Sequence, residues 1–198
     1  MITIARILCP TDFSLASTHA IDLAAHLAHL YGARVAALHV VPPAVTPYPG
    51  LPAIDPHADQ AIEAAELRRF CGETARAFSA AITAGTPVDV MVHVGEPARD
   101  ILESAAALPA DLIVMGTHGL SGFEHLLLGS VAEKVLRKAA CPVLTVPPRA
   151  HATSRLPFKR ILCAVDFSEC SLRALTFARS MTEEADASLT VVHVLEWP

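Results

Sequence analysis

The sequence predicts an α/β fold, with a doubly wound, parallel five-stranded sheet followed by a partial βαβ repeat. Two observations predict this architecture. Short apolar, β-branched segments alternate with longer helical patterns, which is typical of βαβ units built around a parallel sheet. The beginning of the chain also recurs near its end, so the first part of the fold is expected twice.

The complete domain is predicted over residues 1–148. Its strands are expected near 4–9, 34–41, 87–94, 111–116 and 142–147, and its helices near 15–31, 58–84, 97–107 and 130–139. Ser14 is the expected N-cap of the first helix. In such a sheet, ligands bind beyond the carboxyl ends of the strands where the strand order reverses, so the loops after the first and fourth strands are the candidate binding loops.

The composition is typical of a compact globular protein. Of the 198 residues, 53% are hydrophobic and 18% are charged. No apolar stretch approaches the ~20 residues of a membrane helix, and no secretory signal is recognisable, so we expect a cytoplasmic protein without a membrane partner. A formal net charge of −5 disfavours a nucleic-acid partner. Five widely spaced cysteines favour reduced thiols over a disulfide framework or a metal site.

Two segments are expected to lack regular structure. Residues 42–57 carry six prolines, which predicts a long surface loop that acts as a lid or is merely variable. Residues 149–157 are predicted to be a linker, because they are rich in Pro, Arg, Ala and Ser.

The chain repeats itself after this linker. A shift of 154 residues aligns RILCPTDFS, residues 6–14, with RILCAVDFS, residues 160–168, and 13 of 35 aligned positions are identical. Residues 158–198 are therefore predicted to form a partial second domain of one strand, one helix and one strand. Such a unit cannot bury both faces of a sheet, so it either packs against another chain or domain or belongs to a longer tandem protein.

The glycine-rich segment from Gly116 to Leu136 carries the functional prediction. It follows an apolar strand, its glycines permit close approach of a ligand, and Ser130 opens a helix whose free N–H groups suit a phosphate. It is not a Walker A loop, since no lysine follows Gly129, and it does not have the G-x-G-x-x-G pattern of a dinucleotide fingerprint. The phosphate charge would be met by backbone N–H groups, the Ser130 hydroxyl and a divalent cation.

The spacing G-x2-G-x9-G-S in this segment resembles the ATP-binding motif of the universal stress protein family. Asp12, the His39-Val40 pair and the strand CPVLTV, residues 141–146, match that family's pattern as well. The resemblance implies a Rossmann-like fold of the adenine nucleotide alpha hydrolase type, with ATP as ligand and Mg²⁺ or Mn²⁺ as the accompanying cation. The binding residues it implies are Asp12, Val40, Met115, Gly116, Gly119, Gly129, Ser130 and Val131.

The resemblance also implies a role. We expect a nucleotide-dependent module of a stress response or of signalling, and a homodimer formed through the edge strand Pro142–Val146. Two alternatives remain open, a nucleotide-free dimerisation scaffold of the same fold and a slow ATPase or autophosphorylating protein. For the enzyme, the candidate groups are Asp12, His118 and Ser130, and no catalytic residue is assigned.

Several of these residues also have a plainer interpretation. Asp12 could be a helix cap, and His118 a solvent-facing loop residue. His19, Asp22, His26 and His29 share one helix face, but the repeat has Arg173, Thr176, Ser180 and Glu183 there, a mixture typical of a solvated face. No metal site is therefore assigned.

Overall fold

The computed structural model describes residues 3–43, 60–79, 88–117, 128–147 and 158–195. The chain divides into two compact units: Ile4–Thr153, and Ser154–Pro198 together with Met1–Thr3. Most of the proline-rich loop, the centre of the glycine-rich segment and the predicted linker lie outside the described residues. Within the described part of the chain, no helix combines the length and apolar character needed to cross a membrane.

The first unit contains the strands and helices that the sequence predicts, in the same order. All five strands and all four helices lie within a few residues of their expected positions, and residues 58–59 and 80–84 of the predicted second helix lie outside the described residues. The elements are β1 (Arg6–Thr11), α1 (Leu15–Tyr31), β2 (Arg34–Val41), α2 (Gln60–Ser79), β3 (Val88–Val94), α3 (Pro97–Ala107), β4 (Leu112–Gly116), α4 (Ser130–Lys138) and β5 (Val143–Val146).

The five strands form one parallel sheet in the order β3-β2-β1-β4-β5. The chain fills one side of β1 with β2 and β3, and then crosses to the other side with β4 and β5. The doubly wound sheet predicted from the sequence is thus confirmed. The strand order reverses between β1 and β4, and β5 lies at one edge.

Local sequence signals set the ends of α1. The Ser14 side chain accepts a hydrogen bond from the Ser17 amide, which confirms Ser14 as the N-cap. The helix ends at Gly32, whose φ of 64° lies in the left-handed region that glycine adopts without a steric penalty.

One face of the sheet packs against α3 and α4. The buried side chains of this layer come from β1, β2, β4 and the two helices, and they form one apolar cluster. They are Leu8, Leu38, Val40, Ile113, Met115, Ala98, Ile101, Ala105, Ala132 and Val135.

The second unit is the predicted partial βαβ repeat. It consists of β6 (Arg160–Ala164), α5 (Glu169–Ala185) and β7 (Ser188–Val192), with the two strands parallel. Ser168 caps α5 as Ser14 caps α1, and Asp186 ends α5 in the left-handed conformation, with φ 49°. Its core is small and consists of Cys163, Val165 and Ala178.

Candidate functional site

The reversal of strand order brings four chain segments together in the first unit. The carboxyl ends of β1 and β4 are neighbours in the sheet, and the helices α1 and α4 begin just beyond them. This is the position at which open α/β sheets bind ligands. The sequence-predicted residues Asp12, Gly116, Gly129 and Ser130 all lie at these strand ends or helix starts.

Asp12 organises the turn from β1 into α1. Its Oδ1 accepts hydrogen bonds from the Ser14 amide at 3.1 Å and from the Ser17 hydroxyl at 2.8 Å. The Ser14 hydroxyl in turn accepts from the Ser17 amide at 3.2 Å. Asp12 therefore does act at the start of the helix, one of the two roles that its sequence position allowed. The same contacts fix the direction of its carboxylate at the end of β1.

The next residue, Phe13, is one that the sequence reasoning missed. It has a φ of 61°, a left-handed conformation that is strained for a bulky side chain. Its ring lies 4.6 Å from the His39 ring and 5.3 Å from the Phe70 ring, measured between centroids. The repeat could have indicated this residue, because Phe13 and His39 recur there as Phe167 and His193. Phe167 is also in the left-handed conformation, with a φ of 64°, and its ring centroid lies 4.7 Å from that of His193.

His39 links the ends of β1 and β2. Its Nδ1 donates to the Thr11 carbonyl at 2.8 Å, which leaves Nε2 directed to the Glu63 carboxylate of α2, 3.7 Å away. The hydrogen bond to Thr11 and the contact with the Phe13 ring hold the imidazole beside the turn that contains Asp12 and Phe13.

Gly116 ends β4 where that strand meets α1. A Cβ atom at this position would lie 2.8 Å from the Ala16 Cβ and 3.1 Å from the Ser17 amide nitrogen. Real Cβ atoms essentially never show a contact of 2.8 Å, so the absence of a side chain at Gly116 lets β4 pack against the first turn of α1.

Gly129 and Ser130 form the start of α4. The Gly129 amide donates to the Thr117 carbonyl at 2.6 Å, which holds the helix start against the end of β4. Gly129 is the N-cap, and among the described residues no side chain caps this helix. Ser130 is the first helical residue and is exposed. Within the described part of the chain, the first amide groups of α4 therefore have no side-chain cap. Gly119 lies outside the described residues.

The three apolar residues of the predicted site belong to the core layer beneath it. Val40 and Met115 are buried, and Val131 packs against the same cluster. Their side chains are therefore part of the core beneath these strand ends.

The basic residue nearest to this helix start has another partner. Lys134 Nζ lies 3.3 Å from Glu96 Oε1, across the gap between α4 and α3. Glu96 also caps α3, since its Oε2 accepts from the Arg99 amide at 2.7 Å. The backbone hydrogen bond from Arg99 and the neighbouring Lys134 ammonium lower the pKa of Glu96. This ion pair joins the two helices that cover one face of the sheet.

A second polar cluster resembles a catalytic triad in composition but not in geometry. Ser104 Oγ and Asp100 Oδ1 lie 3.5 and 4.0 Å from His93, but both approach the same ring nitrogen, Nδ1. A relay needs the base and its orienting carboxylate on opposite nitrogens. The cluster therefore tethers β3 to α3.

The histidine-rich face of α1 differs from the expectation of a solvated surface. Asp22 is buried, with 1% of its side chain exposed, and it lies 3.6 Å from His26 Nδ1. Burial raises the pKa of Asp22 to about 6, against the opposing influence of His26. Among the described residues, no three His, Cys, Asp or Glu side chains are placed to hold a metal ion. Asp22 faces the packed side of α1, which the polar residues of the repeat did not predict.

Comparison with known proteins decides the family. A sequence model of the universal stress protein family matches residues 3–147 and 157–198, which together cover most of both units. The chain belongs to the universal stress protein family. Residues 157–198 match the family by themselves, in agreement with the internal repeat.

Relatives of this universal stress protein are similar in sequence and in structure. A universal stress protein of Methanocaldococcus jannaschii is 40% identical over 144 residues, which are 71% of this chain and 81% of the relative. The solved structure of a universal stress protein from Archaeoglobus fulgidus has a TM-score of 0.74 at 27% identity and covers 96% of this chain and 67% of its own. A solved universal stress protein in complex with cAMP has a TM-score of 0.54 at 26% identity, covering 74% of this chain and 99% of its own.

Proposed function

We propose that the first unit of this universal stress protein binds an adenine nucleotide at the carboxyl ends of β1 and β4. The proposed ligand is ATP, with Mg²⁺ or Mn²⁺ neutralising part of the phosphate charge. Nucleotide occupancy would then select the protein's shape or partners in a cytoplasmic stress response or signalling pathway. The observation that carries the proposal is the start of α4, which has no side-chain cap among the residues that the structure describes and lies where the strand order reverses.

The phosphates fit the start of α4. An uncapped helix start offers free N–H donors and the positive end of the helix dipole, a combination that stabilises anions. Gly129 adds no side chain that would block the approach, and the exposed Ser130 hydroxyl adds a further donor. Since Lys134 is engaged with Glu96, a divalent cation is the better source of the remaining positive charge.

The adenosine part fits the ends of β1 and β2. Asp12 is the acceptor suited to ribose hydroxyls, and the main chain of Val40 is suited to the base edge. Gly116 and the main chain of Met115 would line the centre, with Gly119 and Val131 completing the phosphate loop. The relative solved with cAMP supports an adenine nucleotide as the class of ligand.

The proposed assembly is a homodimer through β5. Among the described strands, β5 lies at one edge of the sheet, and an edge strand offers hydrogen-bonding groups with which a second chain can pair. A two-fold pairing of Pro142–Val146 would extend the sheet across both copies. Light scattering at micromolar concentration tests this directly, and a strictly monomeric species would contradict it.

The nucleotide proposal is tested by the change in melting temperature on addition of ATP and Mg²⁺. At a ligand concentration 100 times the dissociation constant, binding adds ~2.7 kcal/mol to the stability of the folded state. The Gly129→Val variant should lose the increase, because its side chain covers the helix start. Valine is compatible with the backbone there, since Gly129 has a φ of −70° and a ψ of 153°.

The matched control is Ser168→Val, at the N-cap of α5. It removes a side-chain cap in the unit that lacks the glycine-rich segment. We expect this variant to keep the full response to ATP. If the natural chain shows no increase in melting temperature, the first unit is a nucleotide-free scaffold and the proposal fails.

A further inference from the structure

We propose that Glu96 sets how strongly the nucleotide site prefers ATP to AMP, because it competes with the phosphates for the Lys134 ammonium. Glu96 is thus a specificity-determining residue of the site, and Lys134 is the group through which it acts. The inference rests on the proposed function, since it concerns the phosphate end of the same site. Neither residue belongs to the set of binding residues that the family resemblance implies.

The ion pair of Glu96 and Lys134 lies at the edge of the sheet where the nucleotide is proposed to bind. Helix α3 follows the parallel strand β3, and α4 begins beyond β4, so both helix starts lie at the carboxyl ends of the strands. Glu96 is the N-cap of α3. Its contact with Lys134 Nζ, at 3.3 Å, therefore places the ammonium at this same edge.

The position of Lys134 on α4 allows its side chain to reach the start of that helix. Ser130 is the first helical residue and Lys134 follows four residues later, so the two side chains lie on one helix face about one turn apart. Side chains of an α-helix lean toward its N-terminus. A lysine side chain spans about one helical turn, so the Lys134 ammonium can contact a phosphate held at Ser130.

The ion pair is exposed enough to exchange partners. The side chains of Lys134 and Glu96 are 58% and 48% exposed, and water screens ion pairs of this kind so that they contribute little. Hydrogen bonds from an ammonium to a phosphate oxygen belong to the stronger, charge-assisted class. Glu96 therefore competes with a bound phosphate for Lys134 instead of immobilising the lysine.

Glu96 is held in its competing position by its own role in α3. Its Oε2 accepts a hydrogen bond from the Arg99 amide at 2.7 Å, while Oε1 faces Lys134. The hydrogen bond from Arg99, with the nearby Lys134 ammonium, lowers the pKa of Glu96. The carboxylate is therefore ionised at neutral pH, so the competition operates under the conditions in which a nucleotide would bind.

The other charged residues of α4 are placed for different roles. Glu133 Oε1 lies 2.6 Å from the Arg137 guanidinium, within the same helix. Arg137 and Lys138 belong to the last turn, where positive charge is favourable to the helix dipole. Lys134 is thus the basic residue of α4 that lies nearest to the helix start, and its availability is set by Glu96.

Dissociation constants for ATP, AMP and adenosine, measured by isothermal titration calorimetry at one fixed Mg²⁺ concentration, test the proposal. Glu96→Gln removes the competing charge and keeps an oxygen that can accept from the Arg99 amide. The matched control is Glu103→Gln, which removes the same charge from the exposed pair of Glu103 and Arg99 on α3. A third chain combines Glu96→Gln with Lys134→Met.

We expect Glu96→Gln to tighten ATP binding about tenfold, at the lower end of what a hydrogen bond to a charged group contributes. AMP binding should tighten less, because AMP carries less negative charge. Adenosine binding should be unchanged, and it reports that each variant retains the folded site. Lys134→Met in the Glu96→Gln background should return the ratio of ATP to AMP affinity to its natural value, and Glu103→Gln should leave this ratio unaltered.

The outcomes separate this inference from the proposed function. If ATP and AMP bind but Glu96→Gln does not change the ratio of their affinities, the role of Glu96 is overturned and the proposed function stands. A gain that persists in the variant combining Glu96→Gln with Lys134→Met also overturns it, because Lys134 is then not the responding group. If neither the natural chain nor Glu96→Gln binds any of the three ligands, the proposed function fails and the role of Glu96 fails with it.

Discussion

Gly116 lies against Ala16 so closely that an added Cβ would be 2.8 Å from the Ala16 Cβ. Two backbone atoms of α1 would lie slightly farther from the added Cβ, at 3.0 and 3.1 Å. In the sequence this glycine belongs to a segment that resembles a nucleotide-binding motif, but the fold gives it a packing role that is independent of any ligand. Loss of stability and loss of binding are therefore separable consequences of changing it.

We predict that Gly116→Ala lowers the free energy of unfolding by about 1–3 kcal/mol, because the close-packed start of α1 must move. Urea unfolding in the absence of nucleotide measures this change. The control is Gly72→Ala, where an added Cβ meets nothing within 4 Å and the site is helical. That variant should gain about 0.5–1 kcal/mol. Equal effects of the two substitutions would contradict the packing role.

Asp22 predicts a pH-dependent stability. Its folded-state pKa is raised by burial to about 6 from the ordinary 3.8. The folded state therefore binds this proton more tightly than the unfolded state does. The resulting stabilisation is complete below about pH 4 and is lost as the pH rises through 6.

Asp22→Asn should remove this dependence. As the pH rises from 4 to 7, the unfolding free energy of the variant should increase by roughly 2–3 kcal/mol relative to that of the natural chain. Denaturant unfolding across that pH range measures this change. His26→Gln should steepen the dependence of the natural chain, because His26 opposes the shift. Parallel pH profiles for Asp22→Asn and the natural chain would show that the carboxyl is not desolvated.

The strained phenylalanines predict opposite outcomes in the two units. Phe13 packs between His39 and Phe70, whereas Phe167 is 68% exposed and contacts His193. Substitution of either phenylalanine by glycine should relieve a backbone strain of order 1–3 kcal/mol.

Phe13→Gly should still destabilise the first unit, since a packed aromatic ring is lost. Phe167→Gly should leave the second unit equally or more stable. Hydrogen exchange of β1 and β6 amides reports each unit separately, and matching losses in both would contradict the account.

The thiols predict a graded chemical reactivity. Cys170 is exposed on the first turn of α5, with the Arg173 guanidinium 3.3 Å from its sulfur. Cys9 and Cys71 are buried, and burial raises the pKa of Cys71 to about 11 and that of Cys9 well above its ordinary value. A thiol reagent at pH 8 should therefore modify Cys170 first and reach Cys9 and Cys71 only after unfolding. The fast phase should disappear in Cys170→Ser, and its persistence there would place the reactive thiol elsewhere.

The amino-acid sequence by itself determined the family, the order of the elements and the repeat. These are local or periodic properties: alternating apolar segments marked the strands, Ser14 and Ser168 marked helix starts, and a 154-residue shift exposed the second copy. It also placed Asp12, Gly116 and Ser130 near one another, because the carboxyl ends of parallel strands share one edge of a sheet.

Only the tertiary structure decided what each side chain contacts. The packing of Gly116 on Ala16, the burial of Asp22 and the contact of Phe13 with His39 join residues whose separation along the chain carries no signal of contact. The second unit shows the same limit most clearly. Leu8 and Leu162 are the same residue in the same local sequence, yet one is fully buried and the other is 70% exposed, because burial depends on the helices and strands that pack around a position.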